Sequence, residues 1–185
     1  MSMKRGALGR LWREDAVSVI TLLLFLALPG SSAAAGLSAL VAGERAYARH
    51  DYVRAAPLLL AEAERGSPVA QTYVGYMYQN GFGVPQNYAA AAAWLNQGAQ
   101  QGEPTAQFLL GLLFDKGFGV PQDWVQAEVW LNLAASQATG VRRDYWARVR
   151  DAVAQKLTLD QLAEARRRAF LASIAARIGP IGPPY

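Results

Sequence analysis

A nine-residue stretch, NGFGVPQNY at residues 80–88, returns 36 residues later as KGFGVPQDW at 116–124. The repetition reaches well past that stretch. Gly66, Pro68, Ala70, Gln71 and Gly75 reappear as Gly102, Pro104, Ala106, Gln107 and Gly111. Trp94, Leu95 and Asn96 reappear as Trp130, Leu131 and Asn132. Asp51, Tyr52, Ala55 and Leu59 stand one further step upstream of Asn87, Tyr88, Ala91 and Leu95. A fixed period of this length implies stacked units, each with an apolar side that only its neighbours can cover.

Each unit reads as two helices. Ala70, Tyr73, Val74 and Met77 follow the i, i+3, i+4, i+7 rule of one helix face. Pro68 suits a first helical position, where its missing N–H costs nothing. Gly81 stops that helix, Gly83 supplies a second positive φ, and Pro85 prevents continuation. Asn87 caps the next helix, as Asp51 and Asp123 do at the equivalent places. That helix carries Ala91, Trp94, Leu95, Gly98 and Ala99 on its apolar side, and Gly102 ends it. The repeated nine-residue stretch is thus a helix stop, a chain reversal and a helix start.

The run AQ…GYMYQNGFGVPQNYAAAAAWLNQGAQQG, followed by AQFLLGLLFDKGFGVPQDWVQAEVWLNLAA, resembles Sel1-like repeats, the 36-residue relatives of tetratricopeptide repeats. The resemblance is close over 36–136. It gives full repeats at 67–102 and 103–138, and a degenerate one at 37–66 that keeps its second helix but shortens the long turn to RHD. What it implies is an all-α, right-handed solenoid of antiparallel helix pairs that serves as a protein–protein interaction scaffold. One branch of the family is cysteine-rich and linked to penicillin-related activity. This chain has no cysteine, so that activity is not carried over.

The ends read differently from the middle. Lys4, Arg5, Arg10 and Arg13 precede the apolar run AVSVITLLLFLAL, and Ala33 and Ala35 form an A-x-A site, so residues 1–35 read as a signal peptide. Thirteen residues at about 1.5 Å each give roughly 20 Å, short of a hydrocarbon core of about 30 Å. A retained anchor is the alternative. The mature chain is therefore expected in the periplasm or secreted, without membrane attachment once the leader is cut. At the other end, 142–178 reads as capping helices that close the last repeat, with a Thr158–Gln161 capping box opening the second of them. GPIGPPY at 179–185 cannot be helical and reads as an extended tail.

Charge and chemistry narrow the function. Residues 36–141 carry five basic against eight acidic side chains, a net −3, whereas 142–185 carry nine against four, a net +5. The basic balance is local, and a nucleic-acid partner is not expected. The single histidine, His50, rules out a His-based triad elsewhere and two-histidine metal sites. GFGVPQ lacks the Lys and Ser/Thr of a P-loop. Trp94 and Trp130 read as packing residues rather than sugar platforms. No catalytic, cofactor or metal residues are expected, and the chain is read as non-enzymatic. The function expected is a cell-envelope scaffold or adaptor that holds a peptide or protein on its concave face; an envelope enzyme or a direct peptidoglycan binder is the alternative.

On the first helix of each full repeat, the positions turned away from the apolar stripe are Thr72, Tyr76 and Gln79, then Phe108, Leu112 and Asp115. First helices line the concave side in related two-helix solenoids. These six residues are therefore the expected partner-binding strip, unless the C-terminal helices cover Phe108 and Leu112.

Overall fold

A computed structural model describes residues 32–178, with side chains from 39 to 176. The leader reading over 1–35 falls almost wholly outside the described residues, as does the tail at 179–185. Eight helices and no strand occur among the described residues: α1 (Ser32–Ala48), α2 (Tyr52–Glu64), α3 (Pro68–Asn80), α4 (Tyr88–Gln100), α5 (Pro104–Lys116), α6 (Trp124–Gln137), α7 (Val141–Ala154) and α8 (Leu159–Ile178). The chain is an all-α repeat solenoid in which α3–α4 and α5–α6 are the two full pairs. The first closing helix, α7, starts at Val141, one residue ahead of the closing segment read from the sequence at 142–178.

Local chemistry sets the boundaries as read from the sequence. The Asn87 side chain accepts from Ala90 N at 3.0 Å, Asp123 from Gln126 N at 3.0 Å and Asp51 from Arg54 N at 3.3 Å. Pro68 and Pro104 open their helices, and Gly81 and Gly117 close them in the left-handed region. The capping box of α8 is formed in both directions. Thr158 N donates to Gln161 Oε1 at 3.0 Å, and Gln161 N donates to Thr158 Oγ1 at 3.3 Å.

The nine-residue turn also locks one repeat onto the one before it. Gly83 lies so close to the start of α2 that a Cβ there would sit 2.3 Å from the Tyr52 carbonyl oxygen. Gly119 stands in the same relation to Tyr88, at 2.1 Å. The neighbouring Phe82 ring stacks on Tyr52 at 4.5 Å, and Phe118 meets Tyr88 at 4.9 Å. Only glycine, with its positive φ of 70–72° and no side chain, permits that approach.

Buried amides tie the pairs together a second time. Gln71 donates to Ala63 O at 3.2 Å and accepts from Gln101 at 2.8 Å. One repeat later, Gln107 donates to Ala99 O at 3.2 Å and accepts from Gln137 at 3.0 Å. Each amide therefore satisfies a carbonyl at the end of the preceding helix while crossing to the following one. Between these ties the apolar core runs as successive clusters, centred on Leu59 and Met77, then Leu95 and Leu113, then Leu131 and Phe108. Trp94 and Trp130 are partly buried against them, in the packing role expected.

The closing helices α7 and α8 cover the last pair, as a solenoid end requires. Trp146 and Val153 of α7 join the Phe108–Leu131 cluster, and Ala165 and Ala169 of α8 pack on Val129 and Leu133. Trp124 is the third residue in the series Tyr52, Tyr88, Trp124. No Phe-bearing turn follows it, and Lys156 Nζ stands 5.9 Å from its ring centroid instead. Inside this junction lies Glu128, 0% exposed. Its Oε1 accepts from Asn132 at 2.9 Å, and its Oε2 has no partner among the described residues. Burial pushes this carboxyl up to about 7, against the pull of Asn132, Arg150 and Arg166.

Two expectations follow. Gly119→Ala should cost about 3 kcal/mol, because strain and a clash with backbone combine. Gly102→Ala, at φ 86° with open space around it, should cost about 1–2 kcal/mol from strain alone; urea midpoints of the two variants compare them, and equal losses would contradict the docked turn. The second concerns pH. A folded-state value above the unfolded one means that the proton on Glu128 stabilises the fold fully below about 4.5, and that this contribution is lost as pH rises through about 7. The melting temperature of the wild type should thus fall more steeply between pH 5.5 and 8.5 than that of Glu128→Gln, and parallel slopes would remove Glu128 as the cause.

Candidate functional site

The six strip residues do not form one open surface. Their second half lies beneath the closing helices. Phe108 is 6% exposed and stacks on Trp146 at 4.8 Å with an interplanar angle of 11°. Leu112 is half-buried against the same cluster. Asp115 is 4% exposed, bonded to Lys156 at the end of α7 and to Lys116 at 3.1 Å. Burial opposes its charge, but hydrogen bonds from Lys156 and Lys116 hold the carboxyl below the usual range. The expectation that Phe108, Leu112 and Asp115 offer a binding surface is therefore corrected. These apolar and acidic positions on a first helix serve the end cap, which the sequence already allowed as the alternative for Phe108 and Leu112.

The first half of the strip remains available in part. Thr72 is buried, and its hydroxyl donates to Pro68 O at 2.8 Å and meets Glu103 Oε2 at 3.1 Å. Tyr76 is half-buried beside Phe82, 6.1 Å between rings. Gln79 gives its backbone carbonyl to Gln86 Nε2 at 2.8 Å, while its own Oε1 is buried without a partner among the described residues.

Thr72 and Tyr76 border a cleft of about 350 Å³ that the strip only partly anticipated. Its walls come from three first helices: Tyr47 from α1; Val69, Thr72, Tyr73 and Tyr76 from α3; Thr105 and Leu109 from α5. Glu103, the residue that caps α5, completes it. Its carboxylate accepts from Ala106 N at 2.5 Å and bridges to Thr72. Tyr47 and Tyr73 meet edge to face at 5.0 Å. Burial, then the neighbouring Tyr76, Tyr52 and Tyr73, pushes the Tyr47 phenol up to about 12. Burial, then Glu44 and Glu103, raises that of Tyr73. Both hydroxyls are neutral donors at any ordinary pH. Chemically the cleft offers aromatic surface, phenol donors and one carboxylate.

Tyr47 was missed because the sequence was aligned on Asp51 and Tyr52. The short RHD turn removes four residues, so α1 must be aligned separately. Gly43 is the signal. A Cβ on it would meet Leu59 at 2.8 Å, as one on Gly75 would meet Leu95 and one on Gly111 would meet Leu131. With Gly43 matched to Gly75, Tyr47 falls opposite Gln79 and Glu44 opposite Tyr76. Both then belong to the strip.

The Sel1 repeat family model matches residues 68–103 and 104–138. The chain carries two Sel1 repeats. Among solved structures it is similar to a protective antigen present in uropathogenic Escherichia coli strains that displays an SLR fold, with 22% identity, a TM-score of 0.68 and coverage of 94% of this chain and 38% of that one. It is also similar to a Sel1 repeat protein from Oxalobacter formigenes, with 28% identity, a TM-score of 0.57 and coverage of 72% and 55%. The chain thus spans well under two thirds of either structure's length. No curated protein matches it significantly. Sel1 repeats generally mediate protein–protein interaction. No helix among the described residues is long and apolar enough to cross a membrane.

Truncation separates the two halves of the strip. Phe108→Ala should lower stability by about 3–5 kcal/mol, the usual cost of deleting a buried ring. Tyr76→Ala should lower it by about 1 kcal/mol, as a half-exposed position does. Denaturant midpoints decide between them, and equal losses would show that Tyr76 is also a core residue.

Proposed function

We propose that the protein is a non-enzymatic scaffold of the cell envelope, which holds a peptide segment of a protein partner in the cleft between α1, α3 and α5. The observation that carries this reading is the cleft itself. It is an open, largely apolar depression on the first-helix face, edged by Tyr47, Tyr73 and Tyr76 and spanning three successive helix pairs. Aromatic rings with phenol tips supply contact area at little entropic cost, and the phenol hydroxyls supply hydrogen bonds for a backbone. Several polar groups converge there, but the only carboxylate among the lining residues is already engaged as a helix cap, which suits recognition better than acid–base chemistry. The envelope half of the reading rests on the basic start, short apolar run and A-x-A site of residues 1–35.

A photo-reactive phenylalanine analogue placed at Tyr76 in cells tests both halves at once. Adducts with a protein partner should form from position 76 and not from Val141, which is exposed on the cap. They should be recovered from the periplasmic fraction on a chain that begins near Gly36. Adducts from Val141 alone would move the binding face to the cap, and an intact N-terminus in the membrane fraction would replace export with anchoring.

A further inference from the structure

Resting on that reading of the cleft, we infer that the group it receives from the partner is a cationic side chain, arginine or lysine, carried on an extended segment. Three phenol rings border one depression, and ring faces carry partial negative charge that attracts an ammonium or guanidinium within about 6 Å. One carboxylate, Glu103, lines the cleft, and a second, Glu44, acts on the Tyr73 phenol from α1. Glu103 stands in the wall with one oxygen occupied by Ala106 N and Thr72, and its other oxygen accepts no hydrogen bond among the described residues. Glu44 lies on α1 at the position equivalent to Tyr76, near enough that its charge acts on the Tyr73 phenol together with that of Glu103.

Neither Glu44 nor Glu103 forms a salt bridge among the described residues. Three other carboxylates of the repeat region do, Asp51 with Arg54, Glu62 with Arg65, and Asp115 with Lys116 and Lys156, whereas Glu64, Asp123 and Glu128 do not. No basic residue lines the cleft. The two acidic groups are therefore left uncompensated where the aromatic surface is open. The repeat region as a whole, net −3 over residues 36–141, adds a field of the same sign that favours a basic partner during encounter. Val69 and Leu109 offer apolar wall for the methylene stem, so the long side chain can lie flat with its charge between the carboxylates.

The test uses the purified protein and fluorescent heptapeptide libraries that differ only at the central residue: arginine, its neutral isostere citrulline, lysine, norleucine or glutamate. Anisotropy titrations should show arginine and lysine binding at least ten-fold more tightly than citrulline and norleucine, with glutamate weakest. The preference should weaken as salt rises. Tyr73→Leu, which keeps apolar bulk, and Glu44→Gln should each reduce it several-fold with little change in melting temperature. Equal affinity for arginine and citrulline would overturn the inference, as would the absence of binding by every library. If neutral peptides bind and Tyr76→Ala abolishes that binding, the cleft remains the partner site and only its charge preference fails. A dimer seen by sedimentation that Tyr73→Leu dissolves would make the occupant the basic C-terminal region of a second copy, and would overturn the assignment to a separate partner.

Discussion

Backbone passes backbone too closely for any side chain where Gly83 meets the carbonyl of Tyr52 and Gly119 that of Tyr88. Everything else in the repeat array follows from it. The contact fixes how far each turn reaches over the previous pair, and so fixes the angle at which the next first helix sets out. Paired rings beside each contact, stacked in one repeat and tilted in the next, and the amides of Gln71 and Gln107 behind it then hold the same geometry from a second direction. A contact that tolerates no side chain has one solution, and a solution used twice produces a regular array.

That regularity explains what could be read from the sequence. The helix stops, the caps at Asp51, Asn87 and Asp123, the two full pairs and the capping box of Thr158 are local devices, written in residues a few positions apart. They were legible because glycine, proline and short polar residues each serve a narrow set of backbone conformations. The cleft was only half legible. Thr72 and Tyr76 could be placed by helical periodicity, but Tyr47 belongs to a unit shortened by four residues, and its match depends on which helix is aligned. Phe108 and Asp115 were ambiguous for another reason. An apolar residue on the outer stripe of a helix looks alike whether it meets a partner or the chain's own last helices, and periodicity does not report what lies 40 residues downstream.

Charge divides the chain in a way that composition as a whole hides. The repeats are acidic and the closing helices basic, and part of that difference is consumed internally. Lys156 neutralises Asp115 across the cap junction, while Arg150 and Arg166 stand near the buried Glu128. In the cleft Glu103 caps α5 through one oxygen and meets no basic side chain among the described residues, so its charge is not neutralised there. The same fold element, the outer stripe of a first helix, thus supports closure in one repeat and borders an open cleft in the one before it. The two Sel1 repeats give the helix pairs; which stripe stays open is settled by this chain's own cap.

The bond between Asp115 and Lys156 joins residues 41 positions apart. Separating the closing helices from the last repeat would strand a buried carboxylate and uncover the Phe108 ring in one event. The C-terminal end therefore has no half-detached state of low energy, and it opens as one cooperative unit or not at all. A chain interrupted after the second full repeat would display both the aromatic patch and the unpaired acid, features that proteases and chaperones meet in unfolded proteins. The cap thereby hides the aromatic and acidic surface of the last repeat together.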